Sequence, residues 1–142
     1  MEPAFWDTSS LVPLFIKQSP SVAARKLISS YQVVVWWCTP VELRGAFARL
    51  LRTGEINHAG YGMAQKQLEL LRLSWREIEP TEEIRTDAES LLDRFPLKSA
   101  DSLQLAAALA WCGDRPQSRP FISGDKQLLS AASQLSFHPI SA

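Results

Sequence analysis

Strand-like and helix-like stretches alternate along this chain, and one of the strand-like stretches is apolar on both of its faces. Between Gln32 and Cys38 the chain runs Val33-Val34-Val35-Trp36-Trp37, β-branched and aromatic with no polar residue in alternation. A strand of that kind has to be covered on both sides, and parallel sheets with helices on each face are where such strands occur. Trp36 and Trp37 point to opposite faces of such a strand, so at most one of them faces a groove.

The rest of the pattern agrees. Ala4–Trp6, Trp75–Ile78, Arg119–Ser123 and Leu135–Ile140 read as further strands. Helical spacing is expected from Thr8 to Lys17, and again from Pro20 and Ser21 through Val22, Leu27 and Ile28. Thr39 is a candidate N-cap with Pro40 at the first helical position. The helix it opens runs to Arg52, carries Leu43, Phe47, Leu50 and Leu51 on one face, and ends at Gly54. His58–Leu73 continues with Tyr61, Ala64, Leu68 and Leu71 at helical spacing. Thr81 caps a helix whose stripe is Ile84, Ala88, Leu91 and Phe95, and Glu82 and Glu83 suit its positive end. Ser102 to Trp111, opened by Asp101, is so uniformly apolar that it belongs at the centre of the fold, and Asp125 starts a last helix through Leu128, Leu129 and Ala132. Strands separated by helices in this order give an α/β domain with a mainly parallel sheet of about four to five strands between two helical layers.

The chain's 142 residues suit one domain spanning 1–142. With 46% hydrophobic and 21% charged residues, the composition is near the globular average and global disorder is not expected. The apolar runs are too short for a membrane span and the start is acidic, with no leader pattern, so a soluble cytoplasmic protein is expected. Cys38 and Cys112 have no partner at zinc spacing and read as buried, reduced thiols, which suits a reducing compartment. Fifteen basic residues balance fifteen acidic ones. That neutrality weakens a nucleic-acid reading without excluding it: gathering four acids in one pocket leaves a basic excess of roughly four elsewhere, and phosphate binding needs only a local patch.

Four acids stand where a strand or turn gives way to a helix: Asp7, Glu42, Asp101 and Asp125. Singly, Asp7, Asp101 and Asp125 each read as a helix N-cap, and Glu42 as a solvated helix residue. Glu42 shares its side of the helix with Gly45, Ala46 and Arg49, small neighbours that leave its carboxylate room to face a cavity. Together the four converge, because open α/β sheets collect ligands at the carboxyl ends of their strands. Carboxylates gathered there repel one another unless a hard cation lies among them, and Mg²⁺ or Mn²⁺ suits such oxygens. Glu82, Glu83, Asp87, Glu89 and Asp93 read as the wet face of one helix. Surface roles are expected for His58 and His138, and neither a Gly-x-Ser-x-Gly elbow nor a phosphate-binding Gly-rich loop is present.

Four segments carry a resemblance: Asp7-Thr8-Ser9, Glu42-Leu43-Arg44, Asp101-Ser102-Leu103-Gln104-Leu105-Ala106-Ala107-Ala108, and Ser123-Gly124-Asp125-Lys126-Gln127-Leu128. In this order and over nearly the whole length, the chain resembles the PIN-domain ribonucleases, and specifically the VapC-type toxins of toxin–antitoxin modules. It departs from them at Gln104, where the family often has His. The resemblance implies a three-layer PIN-like fold and a divalent-metal-dependent endoribonuclease. In that reading Asp7 and Asp101 are the main metal ligands, Asp125 completes the site, and Glu42 positions or deprotonates the attacking water. Ser123 and Thr8 support carboxylates, and Arg44, Arg49 and Lys98 are candidates for holding phosphates. The implied partners are RNA, a VapB-type antitoxin and a second copy of the chain, with the helices around Phe47–Leu51 and Tyr61–Leu71 as candidate contact surfaces. Two other classes stay open. One is a non-catalytic RNA- or protein-binding module of the same fold. The other is a phosphoryl-transfer domain, disfavoured because Asp7 lacks a neighbouring second Asp.

Overall fold

The structure, a computed structural model, describes residues 1–16 and 22–142. Along the chain lie β1 (Glu2–Trp6), α1 (Thr8–Phe15), α2 (Val22–Ser30), β2 (Tyr31–Trp36), α3 (Thr39–Arg52), α4 (His58–Arg72), β3 (Arg76–Ile78), α5 (Glu82–Arg94), α6 (Ser99–Trp111), β4 (Pro120–Ser123), α7 (Lys126–Gln134) and β5 (His138–Ser141). Lys17, Pro20 and Ser21, where the first helix was expected to end and the second to open, lie outside the described residues.

The strands form one sheet in the order β3-β2-β1-β4-β5, and every pairing is parallel. Successive residues of a strand point to opposite faces, and the core is divided accordingly. Phe5, Val34, Trp36 and Phe121 pack with Ile84, Leu91, Leu105 and Leu128, from α5, α6 and α7. Ala4, Trp6, Val33, Val35 and Ile122 pack on the other side with Leu11, Leu43, Phe47 and Leu68, from α1, α3 and α4. Leu27 and Ile28 of α2 join that second cluster. The result is the three-layer α/β/α arrangement expected from the doubly apolar strand. Leu105 through Ala108 of α6 are fully buried, which is why that helix shows so little polar periodicity.

Several boundaries differ from the sequence pattern for local reasons. β2 stops at Trp36, and Trp37 lies in the following turn, 48% exposed against 4% for Trp36. Thr39 is the first residue of α3 and not its N-cap; Cys38 holds that position and makes no side-chain cap. Pro40, next in the helix, has no N–H for a cap to satisfy. Leu135 ends α7, and Ser136 has φ 78°, so β5 begins only at His138. Its Pro139 is tolerated because β5 is an edge strand. Phe47 is fully buried, whereas on α4 Met63 and Leu70 are exposed. Gly54, at φ 77°, ends α3 as expected. Asn57 caps α4 and Thr81 caps α5 through their side chains. No described helix is long and apolar enough to cross a membrane.

β1 and β4 lie side by side at the centre, with Phe5 opposite Phe121 and Trp6 opposite Ile122. From β1 the chain crosses to β2 on one side, whereas β4 and β5 lie on the other. The carboxyl ends of β1 and β4 therefore flank a topological switch point, where open α/β sheets leave a crevice.

Candidate functional site

Asp7 is the residue directly after β1. Its backbone N–H extends the pairing to Ile122 O at 2.9 Å, which carries the side chain over the end of β4. It occupies the N-cap position of α1 but makes no capping bond with its carboxylate. That carboxylate instead accepts hydrogen bonds at Oδ2 from the Ser9 hydroxyl and, at 2.8 Å, from the Ser123 hydroxyl. Both hydroxyls accept in turn from the backbone, Ser9 Oγ from Gly124 N at 2.9 Å and Ser123 Oγ from Asp125 N at 3.0 Å. Each hydroxyl thus accepts from the backbone and donates to Asp7, and the two hydroxyl oxygens lie 3.3 Å apart. The turn that brings these groups together is tight at Gly124, where a Cβ would stand 3.3 Å from Ala142 O and 3.4 Å from Ser9 Oγ. Even with this support, burial pushes the Asp7 carboxyl above its usual range, and the nearby charge of Glu42 adds to the rise. Asp7 is only 4% exposed.

Glu42 lies in the first turn of α3. Its Oε1 accepts from Thr8 Oγ1 at 2.6 Å and from Gln104 Nε2 at 2.7 Å. The same Gln104 nitrogen lies 2.9 Å from Thr8 Oγ1 and 3.4 Å from Thr39 Oγ1. Residues 8, 39, 42 and 104, from α1, α3 and α6, thus form one polar knot beside the cleft.

Asp101 is the third residue of α6 and not its cap, because the helix opens at Ser99. Ser99 and Ala100 add no apolar periodicity, so the pattern did not reveal that extra half-turn. The Asp101 carboxyl is pushed up to about 6, first by burial, then by the charges of Asp7 and Asp125, with Lys98 pulling the other way. Asp125 does cap its helix: Oδ1 accepts from Gln127 N at 2.9 Å and Leu128 N at 3.2 Å. Asn caps as well as Asp, and it removes a charge that raises Asp101, so Asp125→Asn should unfold at or slightly above the parent's urea midpoint. Asp125→Ala should lose about 1 kcal/mol. If the Asn variant is as unstable as the Ala variant, the charge and not the cap supports the fold.

A single open cleft of about 540 Å³ is lined by all four acids together with Thr8, Ser9, Val12, Gly45, Ala46, Arg49 and Arg52. The small residues one turn beyond Glu42 leave it the space expected. Of the cations considered from sequence, Arg49 lines the cleft, Lys98 is felt by Asp101, and Arg44 is exposed away from the lining. The pattern missed Arg52, which follows Arg49 by one turn, and Ser9, whose short spacing from Asp7 was the available signal.

Among the described residues no three of His, Cys, Asp and Glu already stand as an ion-enclosing cluster. The donor set nevertheless fits a hard divalent cation. All four groups are carboxylates, and their mutual repulsion, visible at Asp101, is what a cation relieves. Mg²⁺ in particular is held by one or two carboxylates and several waters, and needs no complete protein cage.

No protein-family model matches the sequence, and no curated protein matches it. Solved structures do share the fold. A toxin–antitoxin complex from Klebsiella pneumoniae contains a chain 20% identical to this one, with a TM-score of 0.64 over 87% of this chain and 88% of that one. PAE2754 from Pyrobaculum aerophilum is 17% identical, with a TM-score of 0.65 over 98% and 90% of the two chains. FitAcB from Neisseria gonorrhoeae is 17% identical, with a TM-score of 0.64 over 96% of each. The five-stranded parallel sheet between helical layers is thus the PIN-like fold that the motifs implied.

Proposed function

We propose that this chain is a divalent-metal-dependent endoribonuclease, the toxin of a toxin–antitoxin pair. The observation that carries the reading is the convergence of Asp7, Glu42, Asp101 and Asp125, far apart in sequence, on one cleft at the sheet's switch point. The likeness to a chain of a toxin–antitoxin complex supports it.

In this reading Asp7 and Asp101 hold the metal, and Asp125 completes the site directly or through water. A bound Mg²⁺ or Mn²⁺ would supply charge neutralisation at the phosphate and a more acidic water. Glu42 orients the attacking water and takes its proton. Arg49 and Arg52, on the rim of the cleft, offer cationic contacts to the RNA phosphates. Ser9 and Ser123 fix the Asp7 carboxylate so that its reorientation costs little on binding. An antitoxin and a second copy of the chain are the proposed protein partners.

The test is incubation of purified protein with a defined RNA in Mg²⁺ or Mn²⁺, with and without chelator, followed by mapping of the new ends. Cleavage at discrete positions that chelator abolishes is expected. Absence of cleavage in either metal, with no heat of Mn²⁺ binding at millimolar concentration, would favour the non-catalytic binding module instead.

A further inference from the structure

Gln104 is 1% exposed, on the helix that also carries Asp101. Its amide nitrogen serves three oxygens, those of Glu42, Thr8 and Thr39. Its amide oxygen, equally buried, has no hydrogen-bond partner among the described residues. An unpaired buried carbonyl is unfavourable, and an apolar side chain of similar length would avoid it. Turning the amide over does not help, because its oxygen would then face the Glu42 carboxylate, which accepts only. The side chain is therefore held for what its nitrogen does.

Both donors to Glu42, Thr8 and Gln104, act on the same atom, Oε1. No hydrogen bond to Oε2 is made among the described residues. We propose that Gln104 is a positioning residue for Glu42: with Thr8 it clamps Oε1 and so dedicates Oε2 to the water in the cleft. This rests on the hydrolytic reading above. An uncharged amide donates in this way at every pH, so the clamp does not depend on the protonation state of its donor.

The test combines kinetics with a measurement that needs no activity. Gln104→Leu should keep the parent's thermal midpoint, Mn²⁺ affinity and KM for RNA, and lose about 10–100-fold in kcat, the usual effect of removing a residue that orients a functional group. In a Glu42→Gln background the same replacement should cost nothing further, because a residue acting through Glu42 has nothing left to position. In the metal-free parent, the Gln104 side-chain amide protons should exchange with solvent far more slowly than those of exposed Gln117, and Glu42→Ala should shift their NMR resonances. Losses that simply multiply in the double variant would overturn the proposal. So would a Gln104→Leu protein with the parent's kcat, or Gln104 amide signals unmoved by Glu42→Ala. A parent that cuts no RNA in any metal would sink the hydrolytic reading itself, and with it the kinetic role of the clamp.

Discussion

Asp7→Asn should abolish RNA cleavage, by at least about 10²-fold, and should at the same time stabilise the metal-free protein at neutral pH. The loss follows from removing a proposed metal ligand, and the gain follows from burial. Asp7 is buried beside other carboxylates, and its carboxyl binds a proton more tightly in the folded protein than in the unfolded chain. Above the unfolded value of 3.8 the folded state therefore holds more protons, and stability falls as pH rises toward the folded value. Asp101 contributes with the same sign between 3.8 and about 6. The Asn variant removes the first contribution. It also weakens the second, since the charge of Asp7 is among the causes raising Asp101. Its amide oxygen can still accept from Ser9 and Ser123. Urea unfolding of both proteins between pH 4 and 7, without metal, should show the parent declining and the variant declining less steeply, because burial and Asp125 still raise Asp101. A variant less stable than the parent at pH 7 would mean that the ionised carboxylate supports the fold, contrary to its burial. Adding Mn²⁺ should stabilise the parent and leave the variant almost unaffected.

Phe121→Ala should cost about 3–5 kcal/mol of stability, the usual range for emptying a buried aromatic site. Phe121 is fully buried on β4. It stacks on Phe5 with ring centroids 5.6 Å apart and an angle of 13°, and meets Phe137 at 5.6 Å. Residues from β1, β4 and the segment entering β5 thus share one aromatic contact, and no neighbour can refill the space without leaving its own place. Against a total stability of about 5–15 kcal/mol, that loss is a large share. The urea midpoint measures it. A drop of less than about 1 kcal/mol would show that this layer repacks freely. Phe121 also lies two residues before Ser123, so a loosened β4 would disturb the support of Asp7 as well.

The doubly apolar run of β2 was legible because burial on two faces leaves no polar alternation, and that alone required helices on both sides. The acids at the strand–helix junctions were legible for a related reason: a parallel sheet puts all its carboxyl ends on one edge, so junction residues remote in sequence share it. What the pattern misplaced was local. The start of α6 at Ser99, the move of Thr39 into α3 and the late start of β5 depend on backbone angles and on neighbours from other elements. Small and polar residues do not record these in their periodicity.

The order of apolar and polar residues by itself determined the layers, the sheet and the edge where the acids collect, because burial is a property each residue carries along the chain. Only the tertiary structure decided how each acid is used. Asp125 caps a helix while Asp101 does not, Asp7 is held by two hydroxyls from opposite ends of the chain, and Gln104 reaches Glu42 across 62 positions. Hydrogen bonds depend on direction and on distances of a few tenths of an ångström, and those are set only once the helices have packed on the sheet.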